Sequence, residues 1–203
     1  MDYCLFEKRQ SEIQPDLKLL DTHETIRYQR LIYPQKQLEF VTGRTFLKQV
    51  LASYLGISAH SIFLSLTPSG KPYLSAVYGN QRPCFNLSHA NGYYLMGLST
   101  DPIGVDIEEN RQVNLTHFKH FLTPNEHRIL SALSETARMD PFYQLFTAKE
   151  AFLKATDKRW QIDDLAFSRY RDQWVLQNPV ERCQFFQTRK DNYWMTVCLQ
   201  RPH

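Results

Sequence analysis

The sequence lacks the features typical of membrane proteins, secreted proteins and zinc proteins. No apolar run approaches the roughly 18–20 residues that a transmembrane helix needs, and the first ten residues, MDYCLFEKRQ, do not show the basic and apolar segments of a signal peptide. The four cysteines are scattered without a CxxC pair, and no histidine cluster has zinc-ligand spacing. We therefore expect a cytoplasmic protein with free thiols and no membrane partner.

A strong charge imbalance is also missing. The chain has 24 Lys and Arg residues against 21 Asp and Glu, a formal net charge of +3, which is too small to indicate a nucleic-acid partner. No internal repeat or low-complexity segment is visible. With 42% hydrophobic and 13% aromatic residues among 203, the chain can bury a core without disulfides. Disordered and fibrous classes are therefore excluded.

Periodicity and capping residues predict two helices and then strands in the first half. The first helix would begin at Asp21 or Thr22 and end at Pro34. The second would run from about Gln35 to Leu55, with Gly56 at its C-terminus. A strand is predicted at 61–66, followed by the turn TPSGKP at 67–72. Short strands at 85–89, 93–99 and 103–108, separated by tight turns, predict a three-stranded antiparallel meander.

The order of helices followed by strands repeats in the second half. The segment TPNE at 123–126 predicts a capping box at the start of one helix, and Asp140-Pro141 starts another that runs to about Thr156. Strands are predicted at 166–170, 173–177 and 193–200, and the pattern at 183–188 allows a fourth. This order predicts an α+β fold with two similar-sized halves, residues 1–102 and 103–203.

The segment GVDIEEN at 104–110 places three carboxylates at the end of an apolar strand. Strand alternation puts Asp106 and Glu108 on one face, about 7 Å apart at their Cα atoms for a rise of ~3.3 Å per residue. Glu109 would lie on the opposite face or in the following loop. Two carboxylates at this spacing repel each other unless water or a cation screens them, and Mg²⁺ prefers such oxygen ligands. An ordinary strand with a solvated outer face explains the same pattern.

Two further clusters each have a functional and an ordinary explanation. Helical spacing places four polar side chains on one face, namely Tyr143, Thr147, Glu150 and Lys154. Glu150 and Lys154 would act as a metal ligand and a phosphate-binding cation, or form a surface ion pair. Ser88 and His89 lie at the end of a strand, where they would bind an anion or form a polar turn. Because no GxSxG is present, the sequence gives little support to a nucleophilic serine.

Four motifs in this order resemble those of the 4′-phosphopantetheinyl transferases of the surfactin-synthetase-activating, pseudodimeric type. They are GKP at 70–72, FNLSH at 85–89, GVDIE at 104–108 and FTAKEAFLK at 146–154. The resemblance implies two α+β halves, each with helices on a small antiparallel sheet, related by a pseudo-two-fold axis. It also implies transfer of the phosphopantetheine arm of coenzyme A (CoA) to a serine of an apo acyl or peptidyl carrier protein, with release of adenosine 3′,5′-bisphosphate. Because one chain carries both halves, we expect a monomer.

The resemblance further implies roles for individual residues. Asp106, Glu108 and Glu150 would bind Mg²⁺ together with the CoA pyrophosphate, and Lys154 would stabilise the phosphate from which the bisphosphate departs. The remaining matched residues would hold the nucleotide part of CoA: Lys71, Ser88, His89, Arg44, and the pair Arg27 and Arg30, where the family usually has lysines. The first half would therefore bind CoA, and the second half would bind Mg²⁺ and carry the catalytic residues.

Several alternatives stay open at this point. Glu126 and Glu150 are both candidates for the base that deprotonates the carrier serine, although a capping box alone explains Glu126. Phe146 stands where the family has tryptophan, which bears on carrier docking. A catalytically silent CoA-binding homologue and a metal-dependent nucleotide phosphoesterase are the alternative functions. The pathway that the carrier protein serves is not encoded in a recognisable motif.

Overall fold

The secondary structure follows the predicted order of helices and strands in each half. A computed structural model of the chain describes residues 3–79, 82–177 and 182–201. The chain divides into two compact units between Thr100 and Asp101. Each unit combines one long helix with a three-stranded antiparallel sheet, so the predicted α+β class is confirmed.

The described part of the first unit contains two α-helices and five strands. The helices are α1 (Thr22–Gln29) and α2 (Pro34–Leu55). The strands are β1 (Tyr3–Arg9), β2 (Leu64–Leu66), β3 (Pro72–Leu74), β4 (Cys84–Ala90) and β5 (Tyr93–Ser99). Short 3₁₀ turns occupy Gln10–Glu12, Leu17–Leu19, Ala59–Ser61 and Ala76–Tyr78.

Helix α2 provides the helical side of the first core, as its periodicity predicted. Pro34 occupies its first turn, where a missing N–H costs nothing, and Gly56 ends it at φ +68° with its N–H bonded to the Ala52 carbonyl. The apolar core that it shares with strand β5 includes Phe46, Leu47 and Leu51 from the helix, and Tyr94, Met96 and Leu98 from the strand. Leu38 and Tyr54 follow the same apolar periodicity but are 40% and 51% exposed, so the periodicity extends beyond the buried face.

Helix α1 is shorter than predicted. The Asp21 side chain accepts a hydrogen bond from the Glu24 N–H, and the Glu24 carboxylate accepts one from the Asp21 N–H, so the predicted N-terminus is confirmed. The helix nevertheless ends at Gln29, with Arg30 as its C-cap, and does not reach Pro34. Tyr33 is extended at ψ 124°, because a residue that precedes proline is disfavoured in the helical region.

The predicted strand at 61–66 is also shorter and has an unpredicted partner. A 3₁₀ turn covers Ala59–Ser61, so that β2 begins at Leu64. The turn at 67–72 is confirmed, with the Gly70 N–H bonded to the Thr67 carbonyl and Gly70 at φ +89°. It joins β2 to β3, which the sequence analysis did not identify.

The predicted three-stranded meander is wrong. Strands β4 and β5 do form the predicted hairpin, but β5 also pairs along its other edge with β1, which was not predicted. The third predicted strand, β6 (Ile103–Glu109), pairs with β10 (Tyr193–Gln200) in a separate sheet. Because β1 occupies the free edge of β5, the following strand takes a partner about ninety residues further along the chain.

The described part of the second unit contains two α-helices and five strands. The helices are α3 (Pro124–Ser131) and α4 (Met139–Thr156). In addition to β6 and β10, the strands are β7 (Phe167–Tyr170), β8 (Gln173–Leu176) and β9 (Cys183–Lys190). Short 3₁₀ turns occupy Leu115–Phe118 and Ile162–Leu165. The two helices and all five strands were predicted, with β9 longer than expected.

Strand β10 is the centre of the second sheet, between β6 and β9, and β7 and β8 form a separate hairpin. Helix α4 packs on this sheet, with Ala151, Ala155 and Cys198 in one buried cluster. None of the helices in the described ranges is both long enough and apolar enough to cross a bilayer.

Candidate active site

Strand β6 and helix α4 approach each other closely at Gly104. A Cβ atom at this position would overlap the Ala151 carbonyl oxygen and the Ala155 nitrogen of α4. Because side chains alternate along a strand, Gly104, Asp106 and Glu108 share the face that α4 covers. The shared face of the two acids was predicted, and the glycine of the GVDIE motif now has a physical reason.

Asp106 lies under the helix and is not a solvated residue. It is only 2% exposed, so the interpretation of β6 as a strand with a wet outer face is wrong at this position. Its Oδ1 atom accepts a hydrogen bond from Nζ of Lys154 at 2.5 Å. The Lys154 side chain is itself 29% exposed. This ion pair joins two of the predicted catalytic residues. Glu109, which was expected on the opposite face or in the loop, is the last residue of β6.

Glu108 and Glu150 are half-buried acids within electrostatic range of this pair. Burial, with a further contribution from the negative charge of Asp106, raises the pKa of Glu108 to about 7. Burial also raises the pKa of Glu150, where Lys154 acts in the opposite direction and Asp106 in the same direction. Three carboxylates therefore influence one another with Lys154 as a nearby cation, and a further cation would relieve their repulsion.

The donor set fits Mg²⁺ in its chemistry, because all three groups are hard oxygen ligands. Within residues 3–79, 82–177 and 182–201, no three acidic, histidine or cysteine side chains are gathered at metal-ligand spacing. Asp106 instead contacts Lys154. The structure thus brings the predicted ligands to one face of β6 and the adjoining face of α4, and the Mg²⁺ assignment stays a prediction.

Arg111 is a charged neighbour that sequence reasoning missed. It is hydrogen-bonded to Tyr143 of α4, which raises the pKa of the Arg111 guanidinium, and it lies within electrostatic range of Glu108 and Glu109. Tyr143 was placed on the functional face of α4 by its spacing. No pattern in the sequence points to Arg111, because its partner lies thirty-two residues away on another element.

Glu126 is fully buried, and its carboxylate bonds to three groups of the second unit. Its Oε2 atom accepts hydrogen bonds from the Thr123 N–H at 2.7 Å and from Nζ of Lys149 at 2.6 Å. Its Oε1 atom accepts from the Phe167 N–H at 2.8 Å. The predicted capping box is confirmed. Because Glu126 is 0% exposed and its oxygens are engaged in these contacts, the geometry does not support the prediction that it is the base.

Phe146 is a packing residue in this structure. Its ring lies 4.7 Å from that of Phe121 and 5.8 Å from those of Phe118 and Phe142. A phenyl ring fills this position by contact alone, without the hydrogen bond that an indole N–H would offer. The substitution of the family tryptophan is therefore compatible with an intact core.

The first unit contains a cavity of about 260 Å³ whose lining carries two arginines and one acid, Glu39. Three predicted CoA-binding residues line it: Arg27, Arg44 and His89. The guanidinium carbons of Arg27 and Arg44 lie 5.5 and 5.2 Å from the centre of the Phe40 ring, which also lines the cavity. Two guanidinium groups beside one aromatic ring provide charge for phosphate and a flat surface for a base.

Arg44 is held by residues that the sequence analysis did not identify. Its Nε atom lies 3.0 Å from Oε1 of Glu24, and Oε2 of Glu24 lies 2.7 Å from Nζ of Lys48. Lys48 is almost completely buried and also donates to the Leu19 carbonyl oxygen at 2.6 Å. The sequence did not single out Glu24, because its ion-pair partners lie on a different helix.

Three other predicted CoA-binding residues do not line this cavity, although the structure describes all of them. Arg30 is the exposed C-cap of α1, and the backbone N–H of Lys71 bonds to the Thr67 hydroxyl within the turn. Ser88 is buried on the opposite face of β4 from His89, because consecutive strand residues alternate. Ser88 and His89 are adjacent in the motif, but their side chains point to opposite faces of β4.

Known protein families match both units. A family described as "4'-phosphopantetheinyl transferase, N-terminal" matches residues 6–100. A family described as "4'-phosphopantetheinyl transferase superfamily" matches residues 102–198. The two matched segments contain all of the motifs and predicted site residues named above.

Individual relatives agree with these family matches. A protein of Synechocystis sp., which its name assigns provisionally to the 4′-phosphopantetheinyl transferases, is 34% identical over 88% of this chain and 78% of its own length. The 4′-phosphopantetheinyl transferase HetI of Nostoc sp. is 30% identical over 74% of this chain and 65% of HetI. The 4′-phosphopantetheinyl transferase Sfp of Bacillus subtilis is 23% identical over 95% of this chain and 88% of Sfp. The chain therefore belongs to the 4′-phosphopantetheinyl transferase superfamily and is of the surfactin-synthetase-activating type.

Proposed function

We propose that this chain transfers the 4′-phosphopantetheine group of CoA to the serine hydroxyl of an apo carrier protein. CoA as substrate follows from membership of the family. The observation that carries the proposal is the set of acids that α4 and β6 bring together: Asp106, Glu108 and Glu150, with Lys154 bonded to Asp106. Neither alternative function has a comparable observation in its favour.

The transfer breaks one phosphoanhydride bond and forms one phosphate ester. The serine oxygen attacks the phosphorus that bears the pantetheine, the bridging P–O bond breaks, and adenosine 3′,5′-bisphosphate leaves with the bridging oxygen. The serine proton passes to a carboxylate. We assign this role to Glu150, because its side chain is partly exposed, whereas that of Glu126 is 0% exposed. Glu126 is enclosed by its hydrogen bonds and does not take part.

The charged residues of the second unit stabilise the negative charge of the reacting pyrophosphate. Bound by Asp106, Glu108 and Glu150, Mg²⁺ would neutralise part of this charge and orient the phosphates. Lys154, whose side chain is 29% exposed, contributes a second cation for the departing phosphate once its ammonium exchanges its contact with Asp106. Burial of Asp106 keeps this carboxylate away from bulk water, where its interactions would be screened.

We assign the nucleotide part of CoA to the cavity of the first unit. Arg27 and Arg44 would bind its phosphate groups, and His89, which stacks at 5.1 Å on Tyr94, would contribute a further donor. Arg30, Lys71 and Ser88 would act, if they contact CoA, from outside this cavity. A monomeric state and a cytoplasmic location complete the proposal, and light scattering and cell fractionation test them.

The decisive experiment incubates the protein with CoA, Mg²⁺ and apo carrier proteins from fatty-acid, polyketide and peptide pathways. Mass spectrometry of each carrier should show addition of one phosphopantetheine group for at least one of them. Asp106→Asn, which keeps the shape of this buried side chain, should abolish the addition while the protein still melts cooperatively. Release of nucleotide products without any carrier would instead indicate a phosphoesterase, and CoA binding without either reaction would indicate a silent homologue.

A further inference from the structure

A row of polar side chains crosses the second sheet beside the catalytic acid. In the strand register, Asp106 of β6 is opposite Thr196 of β10, and Thr196 is opposite Gln187 of β9. Directly opposite residues in an antiparallel sheet point to the same face. The row therefore lies on the face that α4 covers, and the Thr147 hydroxyl of α4 contacts the Thr196 hydroxyl. Thr147 and Thr196 are both 0% exposed.

The hydrogen bonds of this row have one consistent direction. The Thr147 hydroxyl donates to the Tyr143 carbonyl oxygen at 2.9 Å, so the Thr196 hydroxyl is the donor in the 2.7 Å contact between the two threonines. The Gln187 amide uses both of its protons, one for the Thr196 hydroxyl at 2.9 Å and one for the Gln144 carbonyl oxygen at 2.7 Å. Each of these donors therefore has an acceptor, either in the row or in the backbone of α4.

Stability alone does not explain this network. Apart from Asp106, the interface between α4 and the sheet also buries apolar residues, among them Ala151, Ala155 and Cys198. Apolar side chains of the same shape would fill the position about as well, because a satisfied buried hydrogen bond contributes little net stability. What the network adds is direction: hydrogen bonds fix one axial position and rotation of a helix, which an alanine surface does not.

We infer that Thr147, Thr196 and Gln187 are positioning residues that set the register of α4 on the sheet, and with it the placement of Glu150 and Lys154 relative to Asp106. Thr147 precedes Glu150 by three residues and Lys154 by seven, so all three lie on one face of the helix. This inference rests on the proposed function of those acids and of Lys154. A misplacement of about 1 Å in such a site costs on the order of 100-fold in rate.

The principal test replaces both threonines by an isosteric apolar residue in the full-length protein. We expect Thr147→Val/Thr196→Val to melt within a few degrees of wild type, because both partners of the threonine pair are removed together. The Gln187 amide loses one acceptor, but it is partly exposed and can bond to water instead. Its kcat for phosphopantetheine transfer should fall about 10- to 100-fold. The KM for CoA should change less than kcat, because the cavity of the first unit is untouched. The single substitution Thr196→Ser, which keeps the hydroxyl, should retain most of the wild-type kcat.

A matched control is available on the same helix. The Thr156 hydroxyl donates to the Phe152 carbonyl at 3.0 Å and accepts from Nε1 of Trp160 at 2.9 Å, outside the polar row. Thr156→Val removes a hydroxyl of the same kind and should lower the melting temperature without a large loss of kcat. If the double valine variant does not fold, Gln187→Met tests the partly exposed end of the row instead.

A second measurement does not depend on turnover. The Mg²⁺ concentration needed for half of the metal-dependent rise in melting temperature should increase in the double valine variant and return towards wild type in Thr196→Ser. Folded variants with wild-type kcat and wild-type Mg²⁺ response would overturn the inference. Failure of the proposed function has a different signature, because wild-type protein itself would then transfer nothing.

Discussion

Glu108 gives a prediction in which the sign and the size both follow from the structure. Burial, helped by the charge of Asp106, raises the pKa of the Glu108 carboxyl from 4.5 to about 7. The folded protein therefore holds this proton more tightly than the unfolded chain. The stability that the proton contributes is complete below about pH 4.5 and is lost as the pH rises through about 7. Glu108→Gln, which is neutral throughout, should avoid this loss.

The expected magnitude is modest but measurable. A pKa displaced from 4.5 to about 7 corresponds to roughly 3 kcal/mol, and solvent screening of the half-buried group reduces this to about 1–2 kcal/mol. For a chain of this size, that difference shifts the melting temperature by about 2–8 °C. Metal-free Glu108→Gln should therefore melt higher than wild type at pH 8 and at nearly the same temperature at pH 4.5.

The assay is thermal denaturation of both proteins across this pH range with a chelator present. Millimolar Mg²⁺ should then stabilise wild type at pH 8 and narrow its difference from Glu108→Gln, because a cation offsets the same repulsion. Equal differences between the two proteins at pH 4.5 and pH 8 would refute the burial argument. A variant that is less stable at pH 8 would show that the charged form of Glu108 has a favourable partner.

Three other substitutions test separate parts of the structure. Glu126→Gln leaves the buried ammonium of Lys149 without its counter-ion. Urea denaturation should show a free energy of unfolding that is lower by about 3–5 kcal/mol. An unchanged unfolding curve would argue against this buried ion pair. Gly104→Ala should cost at least about 3 kcal/mol and most of the transfer activity, because α4 must move away from β6; a wild-type melt and rate would contradict the close approach. Arg27→Ala should raise the KM for CoA more than Arg30→Ala, since only the former lines the cavity; equal effects in steady-state kinetics would mean that CoA binds elsewhere.

The two candidate bases illustrate how burial decides between equivalent residues. In the sequence, Glu126 and Glu150 are both acidic residues near helices, and each matches the family. In the structure, Glu126 bonds to two backbone N–H groups and to Lys149 inside the core, whereas Glu150 is half-buried beside Lys154. The carboxylate whose hydrogen bonds complete the fold is therefore a poor acceptor for a substrate proton.

Local features of this chain could be predicted because their causes lie within a few residues. Helix α2 follows from its apolar periodicity and Gly56, the start of α1 follows from its N-cap residue, and the start of α3 follows from a capping box whose partners are three residues apart. The strand alternation that pairs Asp106 with Glu108 is equally local. The family itself could be identified from four short motifs in order, since each keeps its residues together in the sequence.

Pairing, burial and coupling required the tertiary structure. The sequence alone predicted a meander, but β6 pairs with β10, and Thr196 stands beside Asp106 only because of that pairing. Asp106 is buried because α4 covers it, and Gly104 matters because α4 approaches there. Helix and turn formation depend mainly on residues that are close in the sequence. The pairing of a strand and the burial of one of its faces depend on segments that are distant in the sequence. The sequence by itself thus determined the helices, the motifs and the family, and the tertiary structure decided which acids, cations and hydroxyls act together.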